Sequence, residues 1–335
     1  MDILALLKEY AAEIGIDGLG VCTVEGLAPL APILRERQAR DLLPPWLPPQ
    51  WAQAHRPEVF LSGARSLISI AISYGRPAPQ RSPKSHGIIA RYAWGPDYHP
   101  YLREKLDSLA HFLAREKGGR SLAAVDTGPT IDRYAAYQGG LGWYGKNNCL
   151  YVKPFGSWVV LGVLITDVEL SPQEPLPSLC GHCKRCIQAC PTGALKPYQL
   201  DYRRCIAYLT QMKEPIPLEL RPAMANYIGG CDLCQQACPY NQKAQLPAHP
   251  WCQPVPDGVY PPLDILLAMD EKRWRMGLGR TALGWRGRRT LQRNALIAAG
   301  NLRDESLRPL VLKALEDPRP MIRTYAQWAL EQMSG

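Results

Sequence analysis

Eight of the eleven cysteines in this 335-residue chain fall between Cys180 and Cys238. Cytosolic disulfides are rare, so such crowding points to metal rather than cross-links. Cys180, Cys183, Cys186 and Cys190 are separated by two, two and three residues, and Pro191 follows directly. That spacing wraps a cubane iron–sulfur cluster: three thiolates on a tight loop reach three irons, and the fourth ligates a neighbouring cluster. A second set, Cys231, Cys234 and Cys238 before Pro239, has only three members, and Cys205 between the sets supplies the missing ligand. Eight thiolates then close two [4Fe–4S] clusters in a crossed arrangement. Cys180, Cys183, Cys186 and Cys238 hold one; Cys190, Cys205, Cys231 and Cys234 hold the other. Zinc is the alternative occupant, but its sites use separated pairs rather than a triple with a trailing Cys-Pro. Two adjacent clusters by themselves define an electron-transfer module. Cys22, Cys149 and Cys252 lack partner spacing and read as packed thiols.

Two further stretches could do chemistry. Val125-Asp126-Thr127-Gly128-Pro129 sets a carboxylate at the end of an apolar segment. Its ordinary reading is a turn or N-cap aspartate; its other reading is a catalytic acid. Residues 139–147, Gly-Gly-Leu-Gly-Trp-Tyr-Gly-Lys-Asn, form a glycine-rich loop that is neither a phosphate-binding Walker loop nor a dinucleotide fingerprint. Its glycines are expected to let the backbone approach a large flat ligand. Near the C-terminus, nine basic residues between Lys272 and Arg303 are unbroken by any acid, and eight are arginine. Planar guanidinium groups suit phosphate recognition. A solvated face is the plainer alternative. Arg286, Arg288, Arg289 and Arg293 are the candidate nucleic-acid contacts, with Trp274 and Trp285 interleaved.

These groups need elements to position them. Leu4, Leu7, Ala11 and Ile14 predict a helix over 3–15, and Leu102, Leu106, Leu109 and Leu113 another over 99–117. Residues 66–74 and 157–169 read as buried strands, and 121–126 as a short one. A helix is expected from Pro129, since proline suits a first helical position. Pro44, Pro45, Pro48 and Pro49 forbid regular helix over 41–60. Pro172, Pro175 and Pro177 mark a boundary, and three helical patterns follow at 289–300, 305–316 and 319–333. The Asp317-Pro318-Arg319-Pro320 approach to the last resembles a HEAT-type repeat; a plain helical hairpin is the alternative. The fold class expected is α+β: an α/β domain over 1–170, a ferredoxin-like two-cluster domain over 171–262, and a HEAT-like helical domain over 263–335.

Composition sets outer bounds. Hydrophobic residues at 46% and charged residues at 21% exclude wholesale disorder. A net charge of +9 favours a polyanionic partner. No apolar run nears the ~18 residues of a membrane span. Asp2 and the charges at Lys8 and Glu9 argue against a signal peptide, so a cytoplasmic location without a membrane partner is expected.

Taken together, Val125–Pro129, Gly140–Asn147, Gly156-Ser157-Trp158, Arg91-Tyr92-Ala93, Asp97-Tyr98-His99, Arg293-Asn294-Ala295 and the double cysteine set resemble the epoxyqueuosine reductases across nearly the whole chain. The resemblance implies reduction of epoxyqueuosine to queuosine at the tRNA wobble position, with a base-off cob(II)alamin beside two [4Fe–4S] clusters and an external electron donor. It implies that Asp126 is the proton donor, a carboxyl kept neutral by a desolvated pocket. It also implies corrin contacts from Arg56, Asp126, the backbone near Leu150 and Leu161, and Asp232. His99 is expected to be a structural or pocket-edge residue and not on cobalt. Asp132, where the family usually has Glu, and Asn148-Cys149 depart from the pattern, and neither is expected to touch the acid. A cobalamin-dependent reductive dehalogenase and a plain two-cluster redox partner are the competing readings.

Overall fold

Four strands form the sheet that carries the N-terminal half. They are β1 (Gly18–Thr23), β2 (Ser66–Ser73), β3 (Ser121–Val125) and β4 (Val159–Thr166). Their spatial order is β1-β2-β4-β3, and every pair is antiparallel. The computed structural model describes residues 2–80, 85–247 and 249–334. All eight residues of β2 are buried, because helices cover both faces. Ile68, Ile70 and Ile72 pack toward α1 (Ile3–Glu13) and α3 (Tyr98–Lys117). Leu67, with Val163 and Ile165 of β4, packs toward α2 (Leu30–Ala39) and α4 (Asp132–Gln138). The period of two in a strand sends alternate residues to opposite layers. Leu102, Leu106, Leu109 and Leu113 of α3 are each fully buried, and each contributes roughly 1.5–3 kcal/mol by leaving water.

Two local expectations need correction. The helix after β3 begins at Asp132, not at Pro129. Residues 126–131 are a turn, and Trp51 donates its indole N–H to the Gly128 carbonyl at 3.0 Å, pinning it. The glycines of the 139–147 loop do not open toward a ligand. A Cβ on Gly139 would lie 2.9 Å from the Val21 nitrogen, one on Gly142 2.3 Å from the Tyr151 oxygen, and one on Gly145 2.4 Å from the Tyr151 ring. The loop is glycine-rich because it packs against its own protein.

The three C-terminal helical patterns are present as α5 (Arg288–Leu302), α6 (Arg308–Ala314) and α7 (Pro320–Ser334). Their core is not closed within 263–335. It includes Ile88, Ile89 and Trp94 from the N-terminal half and Ile206, Leu209 and Ile228 from the cysteine-rich segment. A short parallel pairing of Tyr227–Gly229 with Ile88–Ile89 ties the same regions. Among the described residues no helix is long and apolar enough to cross a membrane.

Candidate functional site

Asp126 stands at the first position past β3, with a positive φ of 43°. A non-glycine residue there is strained and persists only where neighbours hold it. Asp132, in the first turn of α4, is the holder. Its Oδ2 accepts the Asp126 backbone N–H at 2.8 Å, and its Oδ1 accepts the Thr130 hydroxyl at 2.6 Å. Asp132 therefore does touch the acid, through the backbone, against expectation. Burial, with the nearby Asp126 charge, pushes its carboxyl up to about 7 against the Thr130 hydrogen bond.

The Asp126 side chain faces the N-terminus of α3. Tyr98 donates its hydroxyl to Oδ2 at 2.9 Å, and His99 Nε2 lies 3.5 Å from the same oxygen. The other ring nitrogen of His99 is 2.6 Å from Asp97 Oδ1, and the ring stacks on Tyr98. Burial disfavours the imidazolium, but two flanking carboxylates overcome it and push His99 up to about 9. Burial likewise raises Asp126, yet the hydrogen bonds from His99 and Tyr98 prevail and hold it below the usual carboxylate range. The surroundings do not favour the expected neutral carboxyl: near pH 7 they favour the proton on His99 and the charge on Asp126. His99 is the acid's partner.

The thiols of the two sets lie near one another. Burial, then Cys234, Cys180 and Cys238, push Cys186 up to about 11. Burial, opposed by backbone N–H groups and aided by Cys234 and Cys190, does the same for Cys205. Cys234 neighbours members of both sets, so this crowding does not sort the eight thiols between two clusters. Unligated thiols so crowded resist ionising together, and iron relieves that repulsion. The donor set fits two cubanes. Cys22 and Cys252 are buried packing thiols as expected, but Cys149 is not. It lies beside Cys234, whose thiol lowers the Cys149 pKa. No sequence signal marks this, since 85 residues separate the two. The same loop grips both cysteine sets: Lys146 Nζ donates to the Gly181 and Cys183 carbonyls at 2.6 and 3.0 Å, and Asn147 reaches the Cys234 carbonyl at 3.5 Å.

Asp126, Arg133, Tyr144 and Cys149 are enclosed by protein on most sides yet keep accessible surface. The buried amide nitrogen of Asn148 and Nε of Arg91 have no partner. Unpaired donors of this kind fit a polar-rimmed cofactor. Leu150 and Leu161 share one apolar cluster with Leu141. Arg56 is exposed and pairs with Glu58 at 3.3 Å. Asp232 is 2% exposed. Its oxygens accept the Arg91 backbone N–H at 2.8 Å and the Gln235 amide at 3.2 Å, so it supports the 91 turn from inside.

The basic stretch divides. Arg289 is exposed. Arg288 donates to the Met269 carbonyl and lies 3.6 Å from Glu271. Arg286 is stacked between Trp285 and Trp46. Arg293 cannot meet phosphate, which corrects that expectation. It is 1% exposed, and its donors serve the carbonyls of Met212 and Leu209 at 2.7 and 3.1 Å and Asn294 Oδ1 at 3.0 Å.

Comparison with known proteins agrees with this layout. Residues 179–241 match the 4Fe-4S double cluster binding domain, and residues 55–127 match the family described as epoxyqueuosine reductase QueG, DUF1730. The epoxyqueuosine reductase of Listeria monocytogenes is 38% identical over 344 residues, covering 100% of this chain and 91% of that protein. The enzyme of Bacillus subtilis is 37% identical over 331 residues, covering 97% and 86%. A crystal structure of epoxyqueuosine reductase with a tRNA-Tyr epoxyqueuosine-modified stem loop superimposes with a TM-score of 0.94 at 36% identity, covering 99% and 90%. The chain belongs to the epoxyqueuosine reductase family and is an oxidoreductase.

Proposed function

We propose that this protein reduces epoxyqueuosine to queuosine at the wobble position of tRNA, drawing electrons from an external donor through two [4Fe–4S] clusters to cobalamin. The observation that carries the reading is the half-exposed Asp126 carboxylate, held by Tyr98 at 2.9 Å and facing His99 at 3.5 Å, in a chain that also carries a double-cluster domain over residues 179–241. Opening the epoxide and losing its oxygen as water takes two electrons and two protons. Cobalamin, when bound, supplies a strongly reducing, nucleophilic cobalt. Leu150 and Leu161 offer it an apolar wall, while Arg56, Asp126 and the segment held by Asp232 lie at its polar rim. The Asp126–His99 pair delivers one proton to the epoxide oxygen, passed from His99 by way of the Asp126 carboxylate, and solvent supplies the second. The helical unit over 263–335 acts as a HEAT-like tRNA-binding face, beside a catalytic unit over 1–170 and a cluster unit over 171–262. The reaction belongs in the cytoplasm, where the tRNA is.

The test is single-turnover reduction of an epoxyqueuosine stem loop by anaerobic, cobalamin-loaded protein, read by nucleoside mass analysis. Asp126→Asn should retain cobalamin and slow the reaction by ~10²–10⁴, the usual worth of general acid catalysis. An Asn variant that turns over like the native protein would sink the assignment.

A further inference from the structure

The proline-rich segment over 41–60 contributes one residue that the reading above leaves unused. Trp46 stacks on Tyr208 at 4.3 Å and meets Trp285 edge-on at 6.1 Å. The guanidinium of Arg286 lies between the two indoles, 3.4 Å from the Trp285 ring centre and 4.4 Å from that of Trp46. Arg286 is 92% buried by this sandwich, yet its Nε and Nη2 have no hydrogen-bond partner. Buried N–H donors are rarely left so, since each costs about 1–3 kcal/mol unpaired. By contrast, the outer face of Trp285 is open, and the residue is 57% exposed. An exposed tryptophan backed by a cation is a poor packing residue and a good surface for a base. Tyr92 feels both the Asp126 and the Arg286 charge, so the patch and the acid share its neighbourhood.

We propose that Trp285, braced by Arg286 and Trp46, is a stacking platform for the anticodon-loop nucleotide next to the one being reduced, with Arg286 donating its free N–H groups to that nucleotide. This rests on the tRNA reading above. An enzyme that splays out one loop base must also hold its neighbours, and aromatic faces with arginine do so for single strands. Trp46 arrives from the N-terminal unit, Tyr208 from the cysteine-rich segment and Arg286 from the helical unit. The platform therefore exists only when all three are assembled, which couples substrate binding to an intact electron path.

The experiment uses the loaded enzyme and an epoxyqueuosine stem loop carrying 2-aminopurine on either side of the wobble position. Binding to native protein should quench the fluorophore at one flank. Trp285→Ala should abolish that quench and weaken binding by about 5- to 150-fold, the measured worth of stacking one base. It should leave the salt dependence unchanged, because no phosphate contact is lost, and Trp285→Phe should restore most of the affinity. Arg286→Gln should weaken binding as well. Trp285→Ala and Arg286→Gln proteins that bind and quench like the native one, while the native enzyme reduces the stem loop, would overturn the platform and leave the function standing. A native enzyme that fails to bind or reduce the stem loop would overturn both.

Discussion

If the proton for the epoxide oxygen is stored on the Asp126–His99 pair, His99→Gln should change both the rate and the shape of its pH profile. His99 is raised from 6.5 to about 9, so near pH 7 about 99% of native molecules hold the proton. Without the imidazole, Asp126 must hold it alone. Burial raises that carboxyl and the loss of His99 removes the main group that holds it down, but it still loses its proton at a lower pH than His99 does. The variant should therefore be slower at pH 7, by up to the ~10²–10⁴ that general acid catalysis supplies, and its rate should begin to fall at a lower pH than the native rate. The native rate should be flat to about pH 8 and fall above pH 9. Stability follows the same sign. A raised histidine contributes fully below pH 6.5 and is lost as pH climbs through about 9; 2.5 units correspond to ~3.4 kcal/mol. Solvent screening of the half-open pair, with Asp126 58% exposed, cuts this to roughly 1–2 kcal/mol. Single-turnover rates from pH 6 to 10, alongside an NMR titration of the histidines, test both parts. A His99 that titrates near 6.5, or a Gln variant with the native profile, refutes the stored proton.

Three other outcomes are expected. Arg293→Ala strands buried carbonyls at Leu209 and Met212 and should lower stability by roughly 3–5 kcal/mol, as breaking a buried charged network does; thermal melting checks it, and a native-like melt would return Arg293 to the surface. Cys180→Ala and Cys238→Ala should each spoil the same cluster and leave the same residual paramagnetic spectrum, with iron falling from about eight towards about four per chain. A Cys238→Ala spectrum matching that of Cys190→Ala would break the crossed assignment. Gly142→Ala drives a Cβ to 2.3 Å from the Tyr151 oxygen and should cost at least the ~1–3 kcal/mol of an overpacked core, seen as a lower melting temperature.

Spacing made the clusters legible because a cubane imposes local distances, and Cys180, Cys183 and Cys186 are spaced to meet them on one short loop. Periodicity made α1 and α3 legible because Leu7, Leu102 and Leu106 repeat along one face that must leave water. What failed to show depends on contacts between distant residues. Nothing local distinguishes a loop whose glycines face Tyr151 and Val21 from one whose glycines face a ligand. Nothing in an arginine-rich run shows that Arg293 turns inward to cap carbonyls 81 and 84 residues away. Asp126 was legible as an acid, but its protonation state was not. That state is set by His99, brought 27 positions along the chain to the same oxygen.

The site keeps its two commodities apart. In the proposed reaction protons are handled where α3 begins: Tyr98 donates to Asp126, His99 bonds Asp97, and His99 Nε2 faces Asp126 at 3.5 Å. Electrons would come from the cysteine sets, which Lys146 and Asn147 fasten to the sheet domain. The glycine loop is therefore a fastener, and its tight packing against Gly20, Val21 and Tyr151 gives it the stiffness to fix the cysteine sets relative to the sheet that carries the acid. A flexible loop would let the cluster-to-acid distance vary, and a misplacement of about 1 Å can cost ~10²-fold in rate. Rigid glycines are what the geometry asks for here: the residue is used for its lack of a side chain and not for its freedom of motion.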